Sequence, residues 1–168
     1  MSLRLFLLLI GLAIASLDQF TKHLTNLYLP LSLHGSNAYP YAGIGMFQNV
    51  LGIDFTLTHV ANKGAAWGAF ASYQDGLNIF RLLVIVLLLF YTFFRPKEKI
   101  YHYPLIFICF GAIGNVIDYF YYGYVIDMFK FVIWGYHYPV FNIADSFIFI
   151  GVTWFFILSF FTHPSKEA

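Results

Sequence analysis

Apolar positions along this chain fall into four long runs separated by polar and aromatic connections, and the lengths of the runs decide the fold class. The first, residues 3–17, would form a helix of only about 22 Å at about 1.5 Å per residue, short of the roughly 30 Å hydrocarbon core of a bilayer. It crosses only by continuing through Asp18, Gln19, Thr21, Lys22 and Asn26 to Leu29, where Pro30 stops it. The last third of that helix is therefore polar. Three further runs, at residues 77–94, 103–119 and 140–161, are each long enough to cross with modest tilt. The pattern predicts an all-α membrane protein with four transmembrane helices, one polytopic domain over residues 1–168.

One connection departs from helical periodicity. Residues 30–76 are too many for a plain turn. Within them Ile53, Phe55, Leu57 and His59 alternate with Asp54, Thr56, Thr58 and Val60, the period of a strand with one partly apolar face. A small external β-sheet lying on the membrane surface follows. Gly35, Pro40, Gly43 and Gly45 upstream predict turns, and residues 31–48 read as a mobile segment able to serve as a lid. Aromatic clusters at residues 119–124 and 134–141 bracket the second external loop with rings suited to the headgroup layer.

Composition sharpens this picture. Of 168 residues 60% are hydrophobic, 22% aromatic and only 10% charged, and mean hydropathy is +0.72. These values exclude a disordered chain and, with a net charge of +1, a nucleic-acid binder. The single cysteine, Cys109, has no partner for an internal disulfide. Arg4, the apolar residues after it and Ala13-Ile14-Ala15 also fit a cleavable presequence. Arg4, Arg95, Lys97, Lys99 and Lys166 fall on one side of a four-span arrangement, which puts both termini in the cytoplasm. All six aspartates, Asp18, Asp54, Asp75, Asp118, Asp127 and Asp145, lie on or near the opposite side, so the chemistry is expected there. No internal repeat favours a repeat-built transporter.

Ionisable groups at membrane depth are functional candidates, with helix–helix packing as the plain alternative. Asp18 and Lys22 are four apart on one helix face, and Asn115 and Asp118 three apart on another. Gly111 and Gly114 allow close helix approach. The sharpest pair is Asp127, just past the outer end of the third span, and Asp145, in the first turns of the fourth. If the two helices pack side by side, two carboxylates meet in a half-dry site where both cannot comfortably ionise, the arrangement of an aspartic protease. The alternative is two unrelated interfacial aspartates, one favoured by a helix start. Ser146 lacks a lysine base on its helix, Cys109 lacks any base nearby, and His59, His137 and an aspartate lack a recognisable metal-ligand spacing. A rival of another class is a non-enzymatic transporter subunit or lipid-binding factor using Asp18, Lys22 and Asp118 as a polar relay.

The order of motifs along the chain resembles the bacterial lipoprotein signal peptidase family, signal peptidase II. It runs through Asp18-Gln19-Phe20-Thr21-Lys22, Asn62-Lys63-Gly64-Ala65-Ala66-Trp67-Gly68, Gly111-Ala112-Ile113-Gly114-Asn115-Val116-Ile117-Asp118, Gly123-Tyr124-Val125-Ile126-Asp127 and Phe141-Asn142-Ile143-Ala144-Asp145-Ser146. The resemblance implies a four-helix aspartic endopeptidase of the bacterial cytoplasmic (inner) membrane, with its site at the outer leaflet and its external sheet cradling the substrate. It implies cleavage of diacylglyceryl-modified prolipoproteins on the amino side of the lipidated cysteine, with no cofactor or metal, no nucleic-acid partner, contact with membrane lipids, and inhibition by cyclic peptides such as globomycin. It retains the first span, against cleavage after Ala15. A monomer is the default expectation. By resemblance Asp127 and Asp145 are the catalytic pair, while Asp18, Lys22, Asn62, Gly64, Gly111, Asn115 and Asn142 position substrate or brace the pair. Two positions depart from the family pattern. Tyr119 stands where an arginine is usual, and Trp67 where phenylalanine is. A phenol cannot grip a carbonyl or phosphate as a fork, leaving Lys130, Lys22 and Arg81 as candidate substitutes.

Overall fold

Residues 1–32, 37–64, 71–94 and 99–161 are described by the computed structural model. In chain order they form α1 (Leu3–Tyr28), β1 (Ile44–Val50), β2 (Ile53–Asn62), α2 (Gln74–Phe94), α3 (His102–Tyr122), β3 (Val125–Ile133), β4 (Tyr136–His137) and α4 (Ile143–Phe161), with short 3-10 turns leading into α2 and α3. All four helices are long and apolar enough to cross a membrane. Each lies within about three residues of the boundaries expected from hydropathy. The helix α1 is unbroken through its polar last third: Ser2 caps its start by accepting from the Leu5 N–H at 3.3 Å, and it ends at Leu29 before Pro30.

The hub of the bundle is α3, which packs on α4, α1 and α2. Leu7, Ile14, Ile106, Cys109 and Phe110 form a buried apolar cluster where α1 meets α3. On the α4 side the approach is closer than side chains would allow. A Cβ at Gly111 would stand 2.6 Å from the Ala144 carbonyl oxygen and 2.9 Å from Ile148, so glycine there sets the α3–α4 spacing. Outward-facing apolar residues on all four helices, such as Leu12, Phe80, Phe120 and Phe160, are exposed as a lipid-facing surface requires.

At one end of the bundle lies an antiparallel sheet in the order β1-β2-β3-β4. Its outer hairpins turn at Leu51-Gly52 and Trp134-Gly135, where both residues of each pair have positive φ (54° and 79°, 49° and 80°), the backbone that lets a two-residue turn follow strand twist. The long seam is β2 with β3, from Ile53 opposite Ile133 to Asn62 opposite Val125, with one extra β2 residue between Leu57 and Val60.

The sheet adds detail that the sequence does not give. It is not confined to residues 30–76, because β3 and β4 come from the loop between α3 and α4. Of the segment 31–48, residues 44–48 belong to β1, and Tyr41 is buried, hydrogen-bonded to Asp54 and set edge-on to Tyr39 and His137. The face of β2 that is buried is the threonine face, Thr56 and Thr58, while Phe55 and Leu57 are half-buried. Apolar side chains need not be the inner ones when the outer face looks onto a membrane-facing cavity, and here Phe55 stacks on Phe131, centroids 4.5 Å apart, as part of an aromatic layer that includes Phe47, Phe129 and Phe141. His34, Gly35, residues 65–70 with Trp67 and Gly68, the basic flanks Arg95, Lys97 and Lys166, and His163 lie outside the described residues, and so does the side chain of Lys99.

Candidate active site

The β3 strand starts two residues after α3 ends, and Gly123, in the left-handed region, makes the join by bonding its N–H to the Tyr119 carbonyl at 2.9 Å. Along β3 the side chains alternate. Ile126 and Met128 are buried, and Val125, Asp127, Phe131 and Ile133 line a cavity of about 810 Å³. Asp145 reaches the same cavity from the first turn of α4. Asn142, the residue before α4, accepts from the Asp145 N–H at 2.8 Å through Oδ1, and its own N–H donates to Asp145 Oδ2 at 3.3 Å. This reciprocal cap fixes both the helix start and the carboxylate.

With its Oδ1 committed to the cap, the Asn142 amide points its Nδ2 inward. It donates to Asp127 Oδ1 at 2.8 Å, Asn115 Oδ1 at 3.1 Å and the Ile126 carbonyl at 3.2 Å. One side chain thus holds one carboxylate while its own backbone N–H holds the other. Asn62 donates to the second oxygen of Asp127 at 2.9 Å, and Asn115 to Asp145 Oδ1 at 2.8 Å. Asn62 reaches Asp127 diagonally across the β2–β3 seam, since Asn62 faces Val125 and Asp127 faces Val60. Gly64 closes the turn after β2, its N–H donating to Asn62 Oδ1 at 2.9 Å.

The two carboxylates differ in environment. Asp127 is 2% exposed and Asp145 half-buried. Burial first, and then the adjacent Asp145 charge, push the Asp127 acid up to about 7. The N–H bonds that both its oxygens accept, from Asn62 and Asn142, favour the ionised form and oppose that rise without cancelling it.

Behind the pair lies a buried ion cluster. Lys22, 1% exposed, meets Asp18 and Asp118, each fully buried, at 2.8 Å, and donates to Asn115 Oδ1 at 2.9 Å. Both carboxylates accept further bonds. Asp18 Oδ1 accepts from the Ala144 N–H of α4 at 2.8 Å, Asp118 Oδ2 from the Ile126 N–H of β3 at 3.0 Å, and Gln19 donates to Asp118 Oδ1 at 2.8 Å. Asp18 of α1 thereby caps α4, and Asp118 ties α3 to β3. Gly114 makes room for it, since a Cβ there would lie 2.5 Å from Asp18 Oδ2.

Asp127, Asp145, Asn62, Gly64 and Asn115 line one cavity, Asn142 joins the pair beneath it, and Asp18, Lys22 and Gly111 stand further behind. Asp118, which the sequence offers only as a member of a polar relay with Asp18 and Lys22, and Gln19, to which it gives no site role, belong to the same network. Asp118, three residues after Asn115 on α3, carried the signal; Gln19 carried none beyond its place beside Asp18. Ser146 donates its hydroxyl back to the Asn142 carbonyl at 3.0 Å, His59 bonds the Leu29 carbonyl, and Cys109 is fully buried in the apolar core. The Tyr119 phenol bonds Asp75 at the start of α2, Lys130 lies over the Tyr41 ring at 5.0 Å, and Arg81 lines the cavity.

The comparisons with known proteins agree with one another. A family model described as "Signal peptidase (SPase) II" matches residues 10–161. The lipoprotein signal peptidase of Geobacillus thermodenitrificans is 35% identical over 163 residues, covering 94% of this chain and 92% of its own, and that of Chlamydia trachomatis 35% over 161 residues, covering 93% and 92%. A bacterial membrane enzyme solved by the in meso method at 2.3 Å resolution superposes with a TM-score of 0.76 at 26% identity, covering 97% of this chain and 93% of that one.

Proposed function

The chain belongs to the signal peptidase II family, and from that premise we propose that it removes signal peptides from diacylglyceryl-modified prolipoproteins, cutting on the amino side of the lipidated cysteine by aspartic chemistry at Asp127 and Asp145. The observation that carries this reading is two carboxylates on one cavity wall, tied together through Asn142, with one of them buried enough to retain a proton near neutrality. Asn62, Asn115 and Asn142 supply the donors that orient the pair, Gly64 the turn behind Asn62, and Gly111 the close α3–α4 approach.

In the proposed reaction Asp145, the more accessible carboxylate, takes a proton from water as the water oxygen attacks the scissile carbonyl carbon. Asp127 gives its proton to the carbonyl oxygen. The tetrahedral diol then collapses: Asp145 passes its proton to the amide nitrogen, the C–N bond breaks, and a diol hydroxyl returns a proton to Asp127. The signal peptide leaves as a carboxylic acid and the lipidated cysteine gains a free amino group. The cavity continues from the pair along Ile148, Phe149 and Val152 of α4, an apolar wall against which a substrate helix and its acyl chains remain in lipid while the peptide bond reaches the acids.

The location follows from the same chemistry. We place the protein in the bacterial cytoplasmic membrane as a monomer, both termini cytoplasmic and the sheet and acids at the outer leaflet, where lipidated precursors emerge, and we assign it sensitivity to cyclic peptides of the globomycin type. A polar relay through Asp18, Lys22 and Asp118 is less well supported, because these groups spend their hydrogen bonds on each other and on the starts of α4 and β3. The test is purified protein in lipid with a diacylglyceryl-modified prolipoprotein, with and without a chelator. Release of the signal peptide in both samples is expected. Chelator-sensitive release, or none, contradicts the reading.

A further inference from the structure

One cation on the cavity wall has no assigned part. Arg81, in the second turn of α2, is the only lysine or arginine among the described residues lining the cavity, which it shares with Asp127 and Asp145. Its guanidinium is held as a fork. Nη1 donates to Asn78 Oδ1 at 3.0 Å and Nη2 to the Gly64 carbonyl at 3.0 Å. Asn78 is itself 2% exposed and oriented by donating to the Gln74 carbonyl at 2.8 Å, which leaves its oxygen for the arginine. The far side of Gly64 matters as much. The Gly64 N–H holds Asn62 Oδ1 at 2.9 Å, and the Asn62 amide then donates to Asp127 at 2.9 Å. A continuous line of hydrogen bonds therefore runs from α2 through Arg81, Gly64 and Asn62 to Asp127, with a positive charge at its head.

We propose that Arg81 is a positioning residue for the aspartate pair, bracing the Asn62–Gly64 turn that presents an amide to Asp127 and supplying the positive charge of the cavity wall. The proposal rests on the aspartic reading of the site and deepens it. The family resemblance sets an arginine at position 119, on α3, but here the Tyr119 phenol closes on Asp75 and brings no charge to the cavity. Arg81 stands on the neighbouring helix, where Asn78 accepts from its guanidinium at 3.0 Å. Of the alternatives, Lys22 is committed to Asp18, Asp118 and Asn115, and Lys130 lies over the Tyr41 ring. The charged groups that face Arg81 are Asp127 from β3 and Asp145 from α4, with Asp75 nearer the start of α2 and Lys22 behind Asn115. Two carboxylates and one cation leave a site in which one acid ionises readily and the second does not.

The experiment compares full-length wild type, Arg81→Gln, Arg81→Lys and Asp127→Asn in lipid, with a diacylglyceryl-modified prolipoprotein as substrate and kcat, KM and the pH profile as readouts. Asp127→Asn fixes the premise. If it cleaves normally the aspartic reading fails, whatever Arg81 does. With that variant inactive, Arg81→Gln is expected to lower kcat about 100-fold, the scale of a catalytic group misplaced by about 1 Å, with KM little changed. Loss of the cation also moves the pH profile to higher pH. Arg81→Lys keeps the charge without the fork, so its profile stays in place while kcat is intermediate. If Arg81→Gln does not fold, judged by size exclusion and thermal unfolding, Arg81→Lys alone decides by those two readouts. Wild-type kcat and profile in Arg81→Gln, or an effect on KM alone, overturns the proposal. So does wild-type kcat in Arg81→Lys.

Discussion

Asp127 and Asp145 carry the same side chain and meet water differently, and the acid–base roles proposed for them rest on that difference. Asp127 is buried and its acid stands at about 7. A protonated Asp127 is the form that donates to a substrate carbonyl, so kcat/KM is expected to fall through a limb near pH 7 as that proton is lost, and to fall again at low pH as the base is protonated. A pH profile of the wild-type enzyme measures both limbs as properties of the coupled pair; a rate that rises steadily through pH 9 contradicts the assignment. Lys22 is the second test at this scale. Replacing it by methionine leaves Asp18 and Asp118 buried without their counter-ion, a loss of about 3–5 kcal/mol that a thermal unfolding curve in detergent will show as a lower midpoint. Asp127, Asp145 and the Asp18–Lys22 spacing were legible as residue types at membrane boundaries. The triple reach of the Asn142 amide was not, because its partners, Asn115 on α3 and Ile126 and Asp127 on β3, come from two separate stretches of chain that only the fold assembles.

Among the elements, α3 and α4 set the distance between the acids. Gly111→Ala places a methyl against the Ala144 carbonyl and Ile148, and α4 has to move by part of an ångström to admit it. The expected result is a drop in activity of about 100-fold, with a smaller stability cost of about 1–3 kcal/mol, read by cleavage rate and thermal unfolding of the same preparation. The four helices were legible because each is a long apolar run, and β2 because its residues alternate. β3 was not. Its sequence, Val125-Ile126-Asp127-Met128-Phe129-Lys130-Phe131-Val132-Ile133, is apolar on both faces, since one packs on the helix ends and the other lines the cavity, and this removes the period that marks a half-buried strand. β1 escaped notice for the opposite reason. It is exposed along its whole length and belongs to the sheet through pairing with β2 alone.

For the whole molecule, four helices are long and apolar enough to cross a membrane, and the proposed four-span topology puts both ends of the chain on one side and the sheet, with the acids beneath it, on the other. A cysteine at Ser2 and another at the exposed Trp134 should therefore label from opposite faces of sealed vesicles with an impermeant reagent, the native Cys109 being buried. Labelling of both from one face would break the four-span topology. The shape also suits the proposed chemistry: a lipidated peptide stays in the bilayer, and an enzyme that cuts it needs acids at the headgroup boundary beside an apolar wall open to lipid. The most direct measurement is single-turnover cleavage of a diacylglyceryl-modified prolipoprotein by wild type, Asp127→Asn and Asp145→Asn, each shown to be folded. Loss of at least about 1,000-fold in both variants, corresponding to about 4 kcal/mol of transition-state stabilisation, is the expected result. Cleavage within tenfold of wild type by either folded variant would contradict the shared-acid mechanism.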